Sequence, residues 1–137
     1  MTEVFLDTSY AVALIVPRDK HHRRARELSG EIQRKRSKLI TTRAVLLEIG
    51  NSLSRIRYRS EATGLLEFLE TDPQVEIVPW SDLLYRRGLD LFRQRPDKEW
   101  SLTDCISFSV MEERRLRESL TTDGHFEQAG FRALLRN

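Results

Sequence analysis

The sequence has few of the residues that define several protein classes. Its 137 residues include one cysteine, six glycines and four prolines. A single cysteine cannot form an internal disulfide. The low content of glycine and proline excludes collagen-like and low-complexity chains. No apolar run approaches the roughly 18–20 residues of a membrane-spanning helix, and acids stand near the start where a secretory signal would carry bases. We therefore expect a soluble cytoplasmic protein with no membrane segment.

The remaining composition is typical of one folded domain. Hydrophobic residues make up 39% of the chain and charged residues 32%, which is enough apolar surface for a core. We predict that residues 1–137 form a single domain. The net charge of +2 is unevenly distributed, with +7 in residues 1–60 and −5 in residues 61–137. A basic half is compatible with binding to a phosphate backbone and equally with the solvated face of arginine-rich helices.

Two hydrophobic periodicities alternate along the chain. Short apolar or alternating runs predict strands at residues 4–6, 39–41, 75–79, 119–121 and 131–135. Helical spacing predicts helices at residues 10–16, 18–36, 42–58 and 60–70, from residue 81, at residues 102–116 and in a turn at 123–128. Strands separated by helices need crossover connections, so we predict an α/β fold whose mostly parallel sheet is covered on both faces.

Four carboxylates occupy positions that such a sheet can bring to one edge. Asp7 follows the first strand and Asp123 the fourth, and the turns after parallel strands share the carboxyl edge, where ligands bind. Glu48 lies on the flank of an amphipathic helix, and Asp104 in the first turn of a helix that Ser101 can cap. Each also has a structural explanation, as a helix cap, a capping-box partner or a solvated helix residue.

Several carboxylates in one cleft repel each other unless a proton or a cation separates them. An all-oxygen donor set suits Mg²⁺ or Mn²⁺ better than zinc. Such a site can stabilise a phosphate that undergoes in-line displacement. The basic half of the chain would then hold the phosphate backbone that the acids repel.

Four segments of the sequence carry a family resemblance. In order, they are VFLDTSYAVAL, LLEIGNSL, SLTDCISF and LTTDGHFEQAGF. Together they resemble the PIN-domain nucleases, and among these the VapC-type toxin ribonucleases of VapBC toxin–antitoxin systems, over essentially the whole chain. The resemblance implies a three-layer α/β/α sandwich and an endoribonuclease that uses Mg²⁺ or Mn²⁺. It implies that Asp7, Glu48, Asp104 and Asp123 are the catalytic, metal-holding acids, with Glu48 as a ligand or as the residue that positions the attacking water.

The same resemblance suggests auxiliary residues. It implies that Ser9 supplies a hydroxyl beside the first acid, that Asn51 is the polar residue one turn after the glutamate, and that Thr121 orients the last acid. Arg55 begins an arginine-rich stretch that we predict to continue the helix of Glu48, where it would contact RNA or an acidic partner. Gly124 stands where many relatives have a polar or charged residue, which changes a contact at the rim of the site.

The resemblance also implies partners. These are an RNA substrate, a small antitoxin whose carboxyl-terminal segment blocks the acid cleft, and a second copy of the chain in a homodimer. Apolar residues that could form a partner surface or simply pack in the core are Tyr58, Leu65, Leu66, Phe68 and Leu69. His125 could contact a substrate phosphate or lie on a helix face. The alternative function is a non-catalytic module that keeps the fold and binds protein or RNA.

Overall fold

A five-stranded sheet forms the centre of the computed structural model, which describes residues 2–136. The strands are β1 (Glu3–Leu6), β2 (Lys38–Thr42), β3 (Val75–Val78), β4 (Glu118–Leu120) and β5 (Arg132–Ala133). They lie in the order β3-β2-β1-β4-β5, and every neighbouring pair is parallel. The parallel sheet confirms the predicted α/β class.

Seven helices flank the sheet in the described part of the chain. They are α1 (Thr8–Ile15), α2 (His22–Lys35), α3 (Arg43–Ser52), α4 (Ile56–Thr71), α5 (Asp82–Gln94), α6 (Leu102–Arg114) and α7 (Gly124–Gln128). The three-layer α/β/α sandwich that the sequence predicts is therefore confirmed. None of these helices is long and apolar enough to cross a bilayer.

The core fixes the elements that carry the candidate acids. Phe126 of α7 is fully buried, and its ring packs edge-on against Phe108 of α6 with 4.9 Å between the ring centroids. The same ring lies 6.4 Å from that of Phe5 in β1. Because β1, α6 and α7 meet through these rings, the ends of those three elements are held in one fixed arrangement.

The prediction of one helix over residues 42–58 is wrong. Helix α3 ends after ten residues, and Leu53 caps it with its side chain buried in the core. The Ser54 hydroxyl then donates to the carbonyl of Asn51 at 3.2 Å. Short polar side chains compete with helical hydrogen bonds in this way, so the asparagine and serine residues here favour a helix end.

The apolar spacing continues beyond this break, although the helix itself ends there. Ile56 fits the stripe of α3, but it starts α4 and is 92% exposed. Arg55 precedes α4 with an extended backbone, at φ −62° and ψ 145°. The arginine-rich stretch therefore belongs to a second helix and does not continue the helix of Glu48.

The strand predicted over residues 131–135 is shorter than expected. It ends at Ala133 and is followed by a 3₁₀ turn over Leu134–Arg136. Leu134 and Leu135 are both buried within this turn. The turn is anchored by the N–H of Leu135, which donates to the carbonyl of Thr121 at 3.2 Å.

The apolar residues considered as a partner surface mostly pack inward. Leu69 is buried, whereas Phe68 is 47% exposed. The other three are partly buried against the core; they are Tyr58, Leu65 and Leu66. Core packing therefore accounts for most of this set.

Candidate active site

Asp7 and Thr121 are neighbours because the strands that precede them are neighbours. Strands β1 and β4 are paired in parallel, with Leu6 opposite Leu120. The N–H of Asp7 extends this pairing by donating to the carbonyl of Leu120 at 3.2 Å. The segments that follow β1 and β4 both leave the sheet at its carboxyl edge, where the sequence predicts the site.

Two hydroxyl groups hold the side chain of Asp7. Ser9 Oγ donates to Asp7 Oδ2 at 2.8 Å, and Thr121 Oγ1 donates to the same oxygen at 2.7 Å. Each hydroxyl in turn accepts a backbone N–H, that of Thr122 at 2.9 Å for the serine and that of Asp123 at 3.0 Å for the threonine. The first acid is thus tied to the loop that carries the last one.

Asp7 is a buried acid with a raised pKa. Burial removes water from the carboxylate and raises its pKa to about 6, although the hydrogen bonds from Thr121 and Ser9 act in the opposite direction. Asp104 and Glu48 also raise the pKa of Asp7 through charge repulsion. Asp7 is therefore close enough to both of these acids for their charges to act on it.

Asp104 and Asp123 meet at His125. The capping box predicted for α6 is present, since Ser101 Oγ accepts the N–H of Asp104 at 3.0 Å and Asp104 Oδ2 accepts the N–H of Ser101 at 3.2 Å. His125 Nδ1 lies 3.2 Å from the same Asp104 oxygen and 3.4 Å from Asp123 Oδ1. Asp123 caps α7 by accepting the N–H of His125 at 2.8 Å. The capping role and the clustering of these acids coexist.

Burial raises the pKa of Asp104, and the charge of Asp123 raises it further. A backbone hydrogen bond from Ser101 and the nearby His125 act in the opposite direction. The carboxyl edge is therefore a place where negative charge is concentrated and partly desolvated.

The three aspartates share one feature of their hydrogen bonding. Each uses a single carboxylate oxygen, Oδ2 in Asp7 and Asp104 and Oδ1 in Asp123, for its bonds within residues 2–136. The second oxygen of each has no hydrogen-bond partner in that part of the chain. Protein bonds thus orient the carboxylates and leave one oxygen of each available to a ligand.

These side chains could hold a divalent cation. Among the described residues, Asp104, Asp123 and His125 form a group whose ligand atoms all lie within 4.8 Å of one another. Asp7 lies outside this tight group, but it is close enough to Asp104 and to Glu48 for charge repulsion to raise its pKa. Carboxylate oxygens are the ligands that Mg²⁺ and Mn²⁺ prefer, and a cation would relieve the repulsion among them.

Glu48 borders a different surface. It is half-buried on α3, makes no hydrogen bond to a described residue, and lines a largely apolar groove of about 640 Å³. Leu47 and Trp80 on this groove are 68% and 51% exposed. Asn51, exposed one turn after Glu48, lines the same groove.

The structure brings most, but not all, of the predicted site residues together. Ser9 and Thr121 contact Asp7 directly, and Asn51 lies beside Glu48. Arg55 is exposed on the turn before α4 and does not line the groove. The catalytic and substrate-binding roles of these residues remain predictions.

Sequence reasoning did not foresee the position of His125 between two acids. It lies 21 positions from Asp104, and only the packing of α7 on α6 brings the pair together. The sequence does contain one signal for a position near Asp123. His125 follows Asp123 by two residues and lies in the helical turn that Asp123 caps.

Comparison with known proteins places the chain in a family. The PIN domain model matches residues 4–132. The chain is 29% identical over 129 residues to the 23S rRNA-specific endonuclease VapC20 of Mycobacterium tuberculosis, which covers 93% of this chain and 95% of the relative. The crystal structure of that protein, described as a sarcin-ricin loop cleaving toxin, matches with a TM-score of 0.83 and 25% identity over 93% of this chain and 95% of its own. FitAcB from Neisseria gonorrhoeae shares the fold, with a TM-score of 0.62 and 18% identity over 95% and 94% of the two chains.

Proposed function

This chain belongs to the PIN-domain family, and we propose that it is a metal-dependent endoribonuclease that hydrolyses phosphodiester bonds in RNA. One observation carries the proposal: three aspartates meet at the carboxyl edge of the sheet, each with one oxygen bonded within the protein and one oxygen left open. The related VapC20 is named as an endonuclease that acts on RNA, which supports RNA as the substrate class.

The donor set fits a divalent cation, and we propose Mg²⁺ or Mn²⁺. Asp104 and Asp123 supply oxygen ligands, Asp7 adds a carboxylate beside them, and Glu48 completes the acidic group. When bound, the cation supplies positive charge that stabilises a phosphate undergoing in-line displacement. His125 is within reach of the same position and either joins the ligands or orients Asp104 and Asp123.

The residues of the chain would divide the remaining work. Ser9 and Thr121 keep Asp7 in one orientation through their hydroxyl groups. Glu48 has no hydrogen-bond partner among residues 2–136 to fix it, so its carboxylate is available to position and deprotonate the attacking water. The water oxygen adds to phosphorus as its proton passes to Glu48, one bridging P–O bond breaks, and the leaving oxygen takes up a proton from solvent.

The biological role that we propose is that of the toxin in a toxin–antitoxin pair. VapC20 is described as a toxin, and the resemblance of the four motifs to VapC-type proteins agrees with that role. The chain would act on RNA in the cytoplasm, pair with a small antitoxin that covers the acid cluster, and form a homodimer. Asn51 and Arg55 would contact RNA from the groove and from the turn before α4.

The first experiment is end-mapping of cellular RNA incubated with the purified protein. It compares Mg²⁺ or Mn²⁺ with EDTA, and the parent with Asp7→Asn, Asp104→Asn and a control, Asp90→Asn. Asp90 is exposed on α5 and pairs with Arg93, away from the cluster. We expect discrete new RNA ends with the parent and the control, and none with EDTA or with the two site variants.

Other outcomes discriminate between the functions. Equal cutting by Asp7→Asn and the parent would contradict the proposed active site. An absence of both cutting and metal binding in the parent would instead favour the non-catalytic module that binds protein or RNA.

A further inference from the structure

A guanidinium group lies at the rim of the acid cluster, on the side of α7. The 3₁₀ turn places Arg136 so that its Nε donates to Glu127 at 2.8 Å and its Nη1 donates to the carbonyl of Thr122 at 3.3 Å. Thr122 directly precedes Asp123 in the chain. The buried Leu134 and Leu135 fix the turn from which the arginine extends.

Gly124 lies beside this group. A Cβ atom at Gly124 would lie 3.4 Å from the guanidinium carbon of Arg136, with two guanidinium nitrogens at 3.5 and 3.6 Å. A side chain here would therefore be in van der Waals contact with the guanidinium. The guanidinium thus lies against the backbone at the start of α7, next to Asp123 in the chain.

We propose that Arg136 binds a backbone phosphate of the RNA next to the cleaved bond. This inference rests on the proposed ribonuclease function. An acidic cluster repels RNA, so a positively charged side chain near the cluster is needed to hold the RNA backbone across the site. Arginine presents a planar fork of N–H groups that matches phosphate oxygens, and much of the fork of Arg136 has no partner among the described residues.

The ion pair between Arg136 and Glu127 does not prevent this role. Both side chains are close to half exposed, at 44% and 46%, and such surface pairs contribute little free energy. A phosphate can therefore compete with Glu127 for the guanidinium. Arg24 of α2 adds positive charge nearby, since its Nε approaches the carbonyl of Leu134 at 3.5 Å and it forms no ion pair with a described residue.

The chain offers a matched control for this arginine. Arg132 also forms an exposed ion pair with a glutamate, Glu118, at 3.2 Å. That pair lies at the start of β4 and β5, at the opposite edge of the sheet from the acids. Replacing it removes the same charge from the protein without approaching the site.

The test measures binding of a fluorescent single-stranded RNA by anisotropy over a range of salt concentrations, in EDTA so that the RNA is not cut. We expect Arg136→Ala to weaken binding about tenfold at low salt. It should also reduce the slope of log affinity against log salt by about 0.7, the value for one lost phosphate contact on a single strand. Arg132→Ala changes only the overall charge and should leave that slope near the value of the parent.

A second variant keeps the guanidinium in place. Glu127→Gln removes the competing carboxylate, so RNA binding should become severalfold tighter. Thermal unfolding of each variant checks that the turn still folds, and this variant answers the question even if Arg136→Ala unfolds.

Each outcome decides the proposal. If the parent binds and cuts RNA but Arg136→Ala behaves as Arg132→Ala does, the inference is wrong and the ribonuclease function stands. If the parent neither binds nor cuts RNA, both are wrong. Weaker RNA binding by Glu127→Gln would also contradict a phosphate contact at Arg136.

Discussion

The three aspartates of the cluster and Glu48 are held in different ways. Asp7, Asp104 and Asp123 each have one carboxylate oxygen fixed by hydrogen bonds from nearby hydroxyl, backbone or imidazole groups. Glu48 has no such bond within residues 2–136 and borders an open apolar groove. Carboxylates that hydrogen bonds hold in place are already oriented to bind a cation, although they repel one another. A carboxylate without such bonds can reorient to contact the attacking water. Variants of the bonded aspartates and of Glu48 should therefore differ in metal binding, stability and cleavage.

The largest expected effect is on metal affinity. Asp104→Asn should weaken Mn²⁺ binding about 100-fold, because it removes a charge from the group whose ligand atoms lie within 4.8 Å of one another. Glu48→Gln, outside that group, should weaken it by less than about tenfold. Calorimetric titration with Mn²⁺ measures both. Equal losses in the two variants would mean that the fixed and unfixed acids contribute alike.

The next effect is on stability without metal. The pKa of Asp7 is raised from 3.8 to about 6, so the native protein holds this proton more tightly than the unfolded chain does. Its contribution is therefore most favourable below about pH 4 and is lost as the pH rises through 6. Asp7→Asn removes the buried charge and should raise the free energy of unfolding at pH 7 by up to about 3 kcal/mol.

Urea unfolding in EDTA at pH 4 and pH 7 tests this prediction. The gain should be present at pH 7 and nearly absent at pH 4, where Asp7 of the parent is itself protonated. A variant that is less stable than the parent at pH 7 would show that burial does not penalise this carboxylate.

Thr121→Val tests the hydroxyl that fixes Asp7. The change removes a donor at 2.7 Å from the carboxylate and an acceptor for the N–H of Asp123, so it should cost about 1–3 kcal/mol of stability. Thr103→Val is the control, since Thr103 is half-buried beside Asp104 and makes no hydrogen bond to a described residue. Chemical denaturation at pH 7 compares the two. Similar losses of unfolding free energy in the two variants would indicate that the hydrogen bonds of Thr121 do not stabilise the protein.

Glu48→Gln should have the smallest effect on stability. The side chain is half-buried and unbonded within the described residues, so the free energy of unfolding should change by less than about 0.5 kcal/mol. Cleavage of RNA should nevertheless fall strongly, because the proposed base is lost. Unchanged cleavage in a stable Glu48→Gln protein would remove Glu48 from the mechanism.

The sequence by itself determined the class of fold and the place of the main acids. Alternating strand and helix periods require parallel crossovers, and parallel strands send the residues that follow them to one edge of the sheet. That rule was sufficient to group Asp7 with Asp123. The four motifs then carried the resemblance to PIN domains, and the matched family agrees with it.

Only the tertiary structure decided where side chains far apart in the chain meet. Apolar spacing cannot reveal a helix end, so the pattern predicts Arg55 in the helix of Glu48 although a turn separates them. His125 reaches Asp104 because aromatic rings dock α7 on α6, and Arg136 reaches the rim because a 3₁₀ turn replaces the end of a strand. Periodicity encodes which face a residue occupies within its own element. Contacts between elements depend on how the whole core packs, and no local pattern contains that information.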